Sequence, residues 1–248
     1  MGYTIAIAGK GGTGKTTLAA LLVKILKEKQ AGSILAIDAD PNSNLGEVLG
    51  IELKETIGQI LDALARYPDK IPSGMSKDRF IEYQIQTAIV EGEGFDLLTM
   101  GRPEGPGCYC YVNNVLRNIM AKLIKDYDYI IIDNEAGLEH LSRRTTRSAD
   151  ALVVVSDATP VGLRAAKRIS DLAKELEINT KKNLLVVNRY AKDIEKEKIR
   201  NLSLEYIGNI PEDNNIGKIS LNGNSLMELK DEAASLVHLR KLGEKIWN

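Results

Sequence analysis

Gly9-Lys10-Gly11-Gly12-Thr13-Gly14-Lys15-Thr16-Thr17 is the stretch on which the fold turns. An apolar run, Tyr3 to Ala8, precedes it, and an apolar-periodic segment, Leu18 to Leu26, follows. Strand, loop and helix therefore meet at a G-x-x-x-x-G-K-[ST] pattern, the spacing of a phosphate-binding loop. Glycines there let backbone N–H groups turn inward, and a helix starting near Lys15 adds its positive end. The pattern implies a nucleotide site formed by Gly11, Gly12, Thr13, Gly14, Lys15, Thr16 and Thr17. Lys15 is placed to reach the β- and γ-phosphates, and the Thr16 hydroxyl to face Mg²⁺.

Outward from that loop, apolar runs recur. Strands are predicted over Thr4–Ala8, Ile34–Asp38, Asp96–Met100, Tyr129–Asp133, Ala151–Ser156, Leu184–Asn188 and Leu204–Asn209. Ile130-Ile131-Ile132 and Leu152-Val153-Val154-Val155 are continuous, which signals strands buried on both faces of a parallel sheet. Helices are predicted over Lys15–Lys29, two pieces of Thr56–Val90, Asn113–Lys125, Leu138–Arg147, Gly162–Glu177, Asp193–Arg200 and Leu226–Ile246. The alternation specifies an α/β, doubly wound, mainly parallel sheet with helices on both faces. Ligands of such folds sit at the carboxyl ends of the strands. Residues 41–95 read as a helical insertion over one face, because Gln84, Gln86 and the glutamates leave too little apolar surface for a second core. The whole chain, 1–248, is then one domain.

Composition narrows the function. A formal net charge of −1 gives no bulk attraction to nucleic acid. The apolar runs are strand-sized, well short of the ~20 residues of a membrane-spanning helix. No signal sequence precedes Gly9, so a cytoplasmic protein without membrane or nucleic-acid partners is expected. Two cysteines form no disulfide framework.

Acidic groups end two of the strands. Asp38 and Asp40 flank Ala39 before Pro41; such a pair beside a phosphate loop suits water orientation or Mg²⁺ support, and capping of a turn is the plainer alternative. Asp133 ends a buried apolar strand in the manner of a Walker B carboxylate, facing Mg²⁺. Gly137, four residues after Asp133, is matched to the glycine of a γ-phosphate switch. Glu135 and His140 lie nearby without an assignable role.

Gly105-Pro106-Gly107-Cys108-Tyr109-Cys110-Tyr111 holds both cysteines of the chain. Thiolates are soft ligands for Zn²⁺, nickel or copper(I). Two buried small apolar residues, or a strained disulfide, are the alternatives. Two thiolates leave a tetrahedral shell half filled, and a second copy of the loop across a two-fold axis would complete it.

K-G-G-x-G-K-T-T resembles the deviant Walker A motif of dimeric ATPases that include the nitrogenase iron protein and the Min and Par ATPases. Together with Asp38-Ala39-Asp40-Pro41, residues 101–110 and Asp133-Asn134-Glu135-Ala136-Gly137-Leu138-Glu139-His140, the chain looks like the CooC/AcsF-type accessory ATPases of carbon monoxide dehydrogenase and acetyl-CoA synthase. The resemblance implies an ATP- and metal-promoted homodimer in which Lys10 reaches the partner's nucleotide. It implies catalytic roles for Lys10, Lys15 and Asp40, with Asp40 on the attacking water. Thr16, Asp38 and Asp133 would serve Mg²⁺, and Asn188, Arg189 and Pro211 the adenine pocket. Cys108 and Cys110 would carry Ni²⁺, with Zn²⁺ acceptable to the same sulfurs, for delivery to apo carbon monoxide dehydrogenase or acetyl-CoA synthase. The rival expectations are a Min/Par-like spatial organiser and an iron–sulfur carrier.

Overall fold

The computed structural model describes residues 2–67, 71–101, 118–136, 138 and 148–248. Eight strands form one sheet in the order β3-β4-β2-β5-β1-β6-β7-β8. They are β1 Tyr3–Gly9, β2 Ile34–Ala39, β3 Val90–Glu91, β4 Asp96–Thr99, β5 Tyr129–Asn134, β6 Ser148–Ser156, β7 Asn179–Asn188 and β8 Glu205–Ile210. All neighbours run parallel except the two-residue edge strand β3, which is antiparallel to β4. The doubly wound α/β expectation holds. On one side of β1 the sheet continues through β5, β2 and β4; on the other it continues through β6, β7 and β8. The phosphate loop leaves β1 where the direction of winding changes, the position at which open sheets gape for a ligand.

Continuous apolar strands bury both faces. One face carries Leu35, Ile37, Ile130, Ile132, Leu152 and Val154 against helices α3 (Ile57–Arg66), α4 (Lys77–Ala88) and α5 (Pro160–Glu175). The other carries Ile5, Ile7, Ile131 and Val153 against α1 (Lys15–Glu28). Each fully buried leucine or isoleucine contributes about 1.5–3 kcal/mol relative to exposure. Thr56 and Gln59 form a reciprocal capping box at the start of α3. Among the described residues, no helix is long and apolar enough to cross a membrane.

Four details differ from the sequence expectation. The 41–95 region straddles the sheet edge instead of lying over one face: α2 (Leu45–Leu49) packs Leu45 and Leu49 with α1, whereas α3 and α4 pack on the opposite side. Its chain also supplies strand β3, too short to carry a periodic signal. Leu226–Ile246 is not one helix but a 3₁₀ turn, Leu226–Glu228, followed by α8, Ala234–Trp247. Helix α6 is the four-residue Lys196–Ile199, and a further helix, α7 (Asn214–Leu221), stands where none was expected. It spans only eight residues and includes Asn214, Asn215 and Gly217, which are poor helix formers. Residues 118–123 are helical, within the expected 113–125 helix; the rest of its start and the expected Leu138–Arg147 helix lie outside the described residues, Leu138 aside.

Candidate functional site

Backbone geometry makes the phosphate loop. A Cβ on Gly9 would stand 2.5 Å from the Val155 carbonyl oxygen, so only glycine lets β1 pass β6 closely there. Gly14 caps α1 at φ +93°, and a Cβ on it would lie 2.4 Å from Asn188 Nδ2. That amide donates to the Thr13 carbonyl at 2.8 Å, tying the end of β7 to the loop. Arg189 Nη1 donates to the Gly12 carbonyl at 3.3 Å. The Thr13 hydroxyl donates to the Lys10 carbonyl at 2.8 Å. Gly11 and Gly12 are exposed, Thr16 and Thr17 partly so, and the exposed Lys10 makes no side-chain bond among the described residues. Lys15 is buried, and among the described residues its ammonium group hydrogen-bonds only the Lys10 carbonyl, at 3.4 Å. A buried cation with one long bond is a receptor for an anion.

Three polar residues form a row beneath the loop. Asp38 is the register partner of both Thr99 and Asp133 in the neighbouring strands. Side chains alternate along a strand, so all three face α1, as Ala36, Leu97 and Ile131 do two residues earlier in their strands. Asp38 is fully buried; its oxygens accept the Asp40 amide at 3.1 Å and the Leu45 amide at 2.8 Å. Burial pushes its carboxyl up to about 6, with those two amides pulling the other way. Asp133 is 1% exposed, and neither of its oxygens accepts a hydrogen bond among the described residues. Burial lifts it to about 7; the Thr16 hydroxyl, near without full bonding geometry, opposes the rise, Asp38 adds to it, and Lys15 opposes it. The Thr99 hydroxyl is likewise buried and unpartnered among the described residues. Asp40 is half-exposed, and its Oδ1 accepts the Asn42 backbone and side-chain amides, each at 2.9 Å. Asn134 points to the other face and donates to the Ile7 carbonyl at 2.9 Å, binding the end of β5 to β1 just before the loop.

Beside the loop opens a cleft of about 630 Å³ lined by Gly14, Thr17, Leu18, Leu21, Asn188, Arg189, Ile210, Pro211 and helix α7. Asn188, Arg189 and Pro211 thus meet, although they come from the ends of different strands. Asp213, at the near end of α7, accepts the Asn215 amide and both the amide and hydroxyl of Ser235. Burial raises its carboxyl, and the bonds from Ser235 and Asn215 outweigh that and hold it below the usual range.

A family model described as an AAA domain matches residues 2–186. The chain belongs to that family. This AAA-domain chain is a P-loop ATPase related to MinD. It is 45% identical over 249 residues, 98% of each chain, to an uncharacterized ATP-binding protein of Methanocaldococcus jannaschii. It is 28% identical over 94% of its length, and 93% of the relative's, to the carbon monoxide dehydrogenase accessory protein CooC of Rhodospirillum rubrum. Its fold is similar to that of the septum site-determining protein MinD of Pyrococcus horikoshii, complexed with Mg-ADP, at 25% identity and a TM-score of 0.72, covering 99% of this chain and 96% of that one.

Sequence reading placed Lys10, Lys15, Thr16, Asp38, Asp40 and Asp133 at one edge, and the strands bring them to that edge. Cys108, Cys110, Gly137 and His140 lie outside the described residues. Among the described residues no three His, Cys, Asp or Glu side chains are grouped as a metal site. Sequence reasoning missed Thr99, Asn134, Asp213 and Ser235. Thr99 carried a signal, as a polar residue ending an apolar strand; Asp213 and Ser235 are 22 residues apart and carried none.

Proposed function

We propose that this ATPase is a metallochaperone that hydrolyses MgATP as a homodimer and delivers nickel to carbon monoxide dehydrogenase or acetyl-CoA synthase. The observation that carries the nucleotide part is Asp133: a buried carboxylate with no hydrogen-bond partner among the described residues, beside Thr16 and Lys15, at the mouth of a phosphate loop. A hard cation with oxygen ligands fits that donor set, since it repays the cost of burying an unpaired carboxylate. Asp133 and the Thr16 hydroxyl would hold Mg²⁺, with Asp38 behind them keeping the 39–45 loop in place. Bound there, Mg²⁺ would neutralise charge across the β- and γ-phosphates.

The chain's own groups supply the rest. Inward amides of Gly11, Gly12, Thr13 and Gly14, with the end of α1, cradle the phosphates. Lys15 gains an anionic partner for its buried charge. Asp40 orients the water that attacks the γ-phosphorus; the bond to the β-γ bridging oxygen breaks, and ADP and phosphate leave. The partner subunit's Lys10 adds charge to that transition state. Asn188, Arg189 and Pro211 receive the adenine, and Thr17 the neighbouring phosphate. Gly137 reports the loss of the γ-phosphate and loosens the dimer.

The delivery reading rests on both cysteines standing two residues apart, seven and nine residues beyond position 101, and on the likeness to CooC. Gly101 follows β4 at the carboxyl end of the sheet, and the preceding Met100 amide donates to the Asp38 carbonyl at 2.8 Å. The segment bearing Cys108 and Cys110 therefore starts from the nucleotide edge. If two such loops face each other, four sulfurs enclose one nickel ion, the cargo, and hydrolysis is coupled to its release.

Anaerobic equilibrium dialysis with Ni²⁺, read with oligomeric mass, tests this. The expected result is half an ion per chain in a dimer, lost in the Cys108→Ala/Cys110→Ala double variant. A monomer under saturating MgATP and Ni²⁺, or unchanged binding in that variant, overturns the delivery reading. The likeness to MinD favours a second reading, a spatial organiser, which vesicle or DNA co-sedimentation would reveal.

A further inference from the structure

The base-side cleft is too large for what reaches it. A nucleotide held at the phosphate loop presents chiefly its base and sugar there, because of residues 9–17 only Gly14 and Thr17 line the space. Yet its volume is about 630 Å³, within the ~300–1,000 Å³ that enclose whole drug-sized ligands. One wall is also unlike the others. Leu18 and Leu21 stand on α1 and are buried in the core, whereas α7 has no buried residue.

We propose that α7 is a movable wall of this cleft that closes on the base, with Ile216 and Leu221 as base-contacting residues. The proposal rests on the reading that the cleft takes a nucleotide base. Leu221 is 89% exposed at the lip of the cleft, the most exposed large apolar side chain among the described residues. Ile216 is only partly buried against the core on the α1 side. An exposed leucine at the lip of a cleft is a contact waiting for a ligand face. Both ends of α7 suit a swing about fixed points. At its start Asp213 is latched to Ser235 of α8. At its end Gly223 turns the chain at φ +68° with open space around its Cβ position. No residue of α7 is fully buried, and displacing it breaks only the partial contacts of Ile216 and Ile219 with the core, so the opening and closing free energies are small. Closure removes water from both faces of the base, which stacks Leu221 and Ile216 opposite Leu18 and Leu21.

Hydrogen exchange on the full-length protein, with ADP, ATP or inorganic tripolyphosphate, tests this. Tripolyphosphate fills the phosphate loop without entering the base cleft. The amides of residues 214–221 should slow at least about fivefold with ADP or ATP and stay unchanged with tripolyphosphate. Leu221→Ser, a substitution at an exposed position, should weaken ADP about three- to tenfold and leave tripolyphosphate affinity unchanged. Unchanged exchange at saturating ADP, equal protection by tripolyphosphate, or an unaltered ADP affinity in Leu221→Ser overturns the moving wall and leaves the nucleotide reading intact. Failure of both ATP and tripolyphosphate to bind overturns the two together.

Discussion

Asp133, the penultimate residue of β5, and Asp213, three residues after β8, both stand at the carboxyl edge of one sheet, and their surroundings differ. Asp133 is 1% exposed, bonded to nothing among the described residues, and pushed up to about 7 by burial. Asp213 is partly exposed, satisfied by three donors, and held low by them. The same contrast runs through the regions they belong to. The phosphate half is made of buried strand ends and of Gly9 and Gly14, where an added Cβ would clash with Val155 and Asn188. The base half is closed on one side by a helix with no fully buried residue. A carboxylate left unsatisfied costs stability and stays available to a ligand; one satisfied by the protein strengthens the fold and offers less to a ligand.

Asp133→Asn gives the largest expected break in this comparison. Hydrolysis should fall by about 100-fold or more, measured as phosphate release at saturating ATP. The ligand-free variant should nevertheless be more stable than the parent at pH 8, on the order of 1 kcal/mol by urea unfolding. The sign follows from the raised folded-state value: the parent carboxyl is favourable while protonated and loses that advantage as pH rises from about 4 through about 7. The stability gap should therefore widen across that interval. A gap that narrows would mean Asp133 is satisfied as a carboxylate.

Gly14→Ala sharpens the same picture in the backbone. At φ +93° and 2.4 Å from Asn188 Nδ2, an added Cβ must displace the amide that holds the Thr13 carbonyl. Stability should drop by about 1–3 kcal/mol in denaturant titration, with nucleotide affinity falling too. A variant as stable as the parent would show that the loop is not so constrained.

The smallest effect is expected from Asp213→Asn. Loss of the charged acceptor for Asn215 and Ser235 should cost about 1 kcal/mol at pH 7. Here the folded value is lowered, so the parent's advantage is full above the unfolded value and disappears as pH falls through the folded one. Plotted against pH, the stability differences of the two aspartate variants have features at opposite ends of the acid range, around neutrality for Asp133 and below about 4 for Asp213.

Local spacing alone determined the phosphate loop, the parallel sheet, and the placement of Asp38, Asp40 and Asp133 at strand ends. Each is written within a few consecutive residues: glycines at fixed offsets, unbroken Val/Ile/Leu runs, an acid directly after one. Tertiary structure alone decided the rest. Asp38, Thr99 and Asp133 form a row because three strands distant in sequence adopt one register, and no local pattern encodes register. The insertion crosses the sheet edge because Leu45 and Leu49 find the core beside α1 while Ile57 and Ile81 find the opposite one. Helix α7 was not legible because only eight residues carry it, and Asn214, Asn215 and Gly217 among them are poor helix formers. It forms where Ile216 and Ile219 find the core beside α1, a contact that no local pattern encodes.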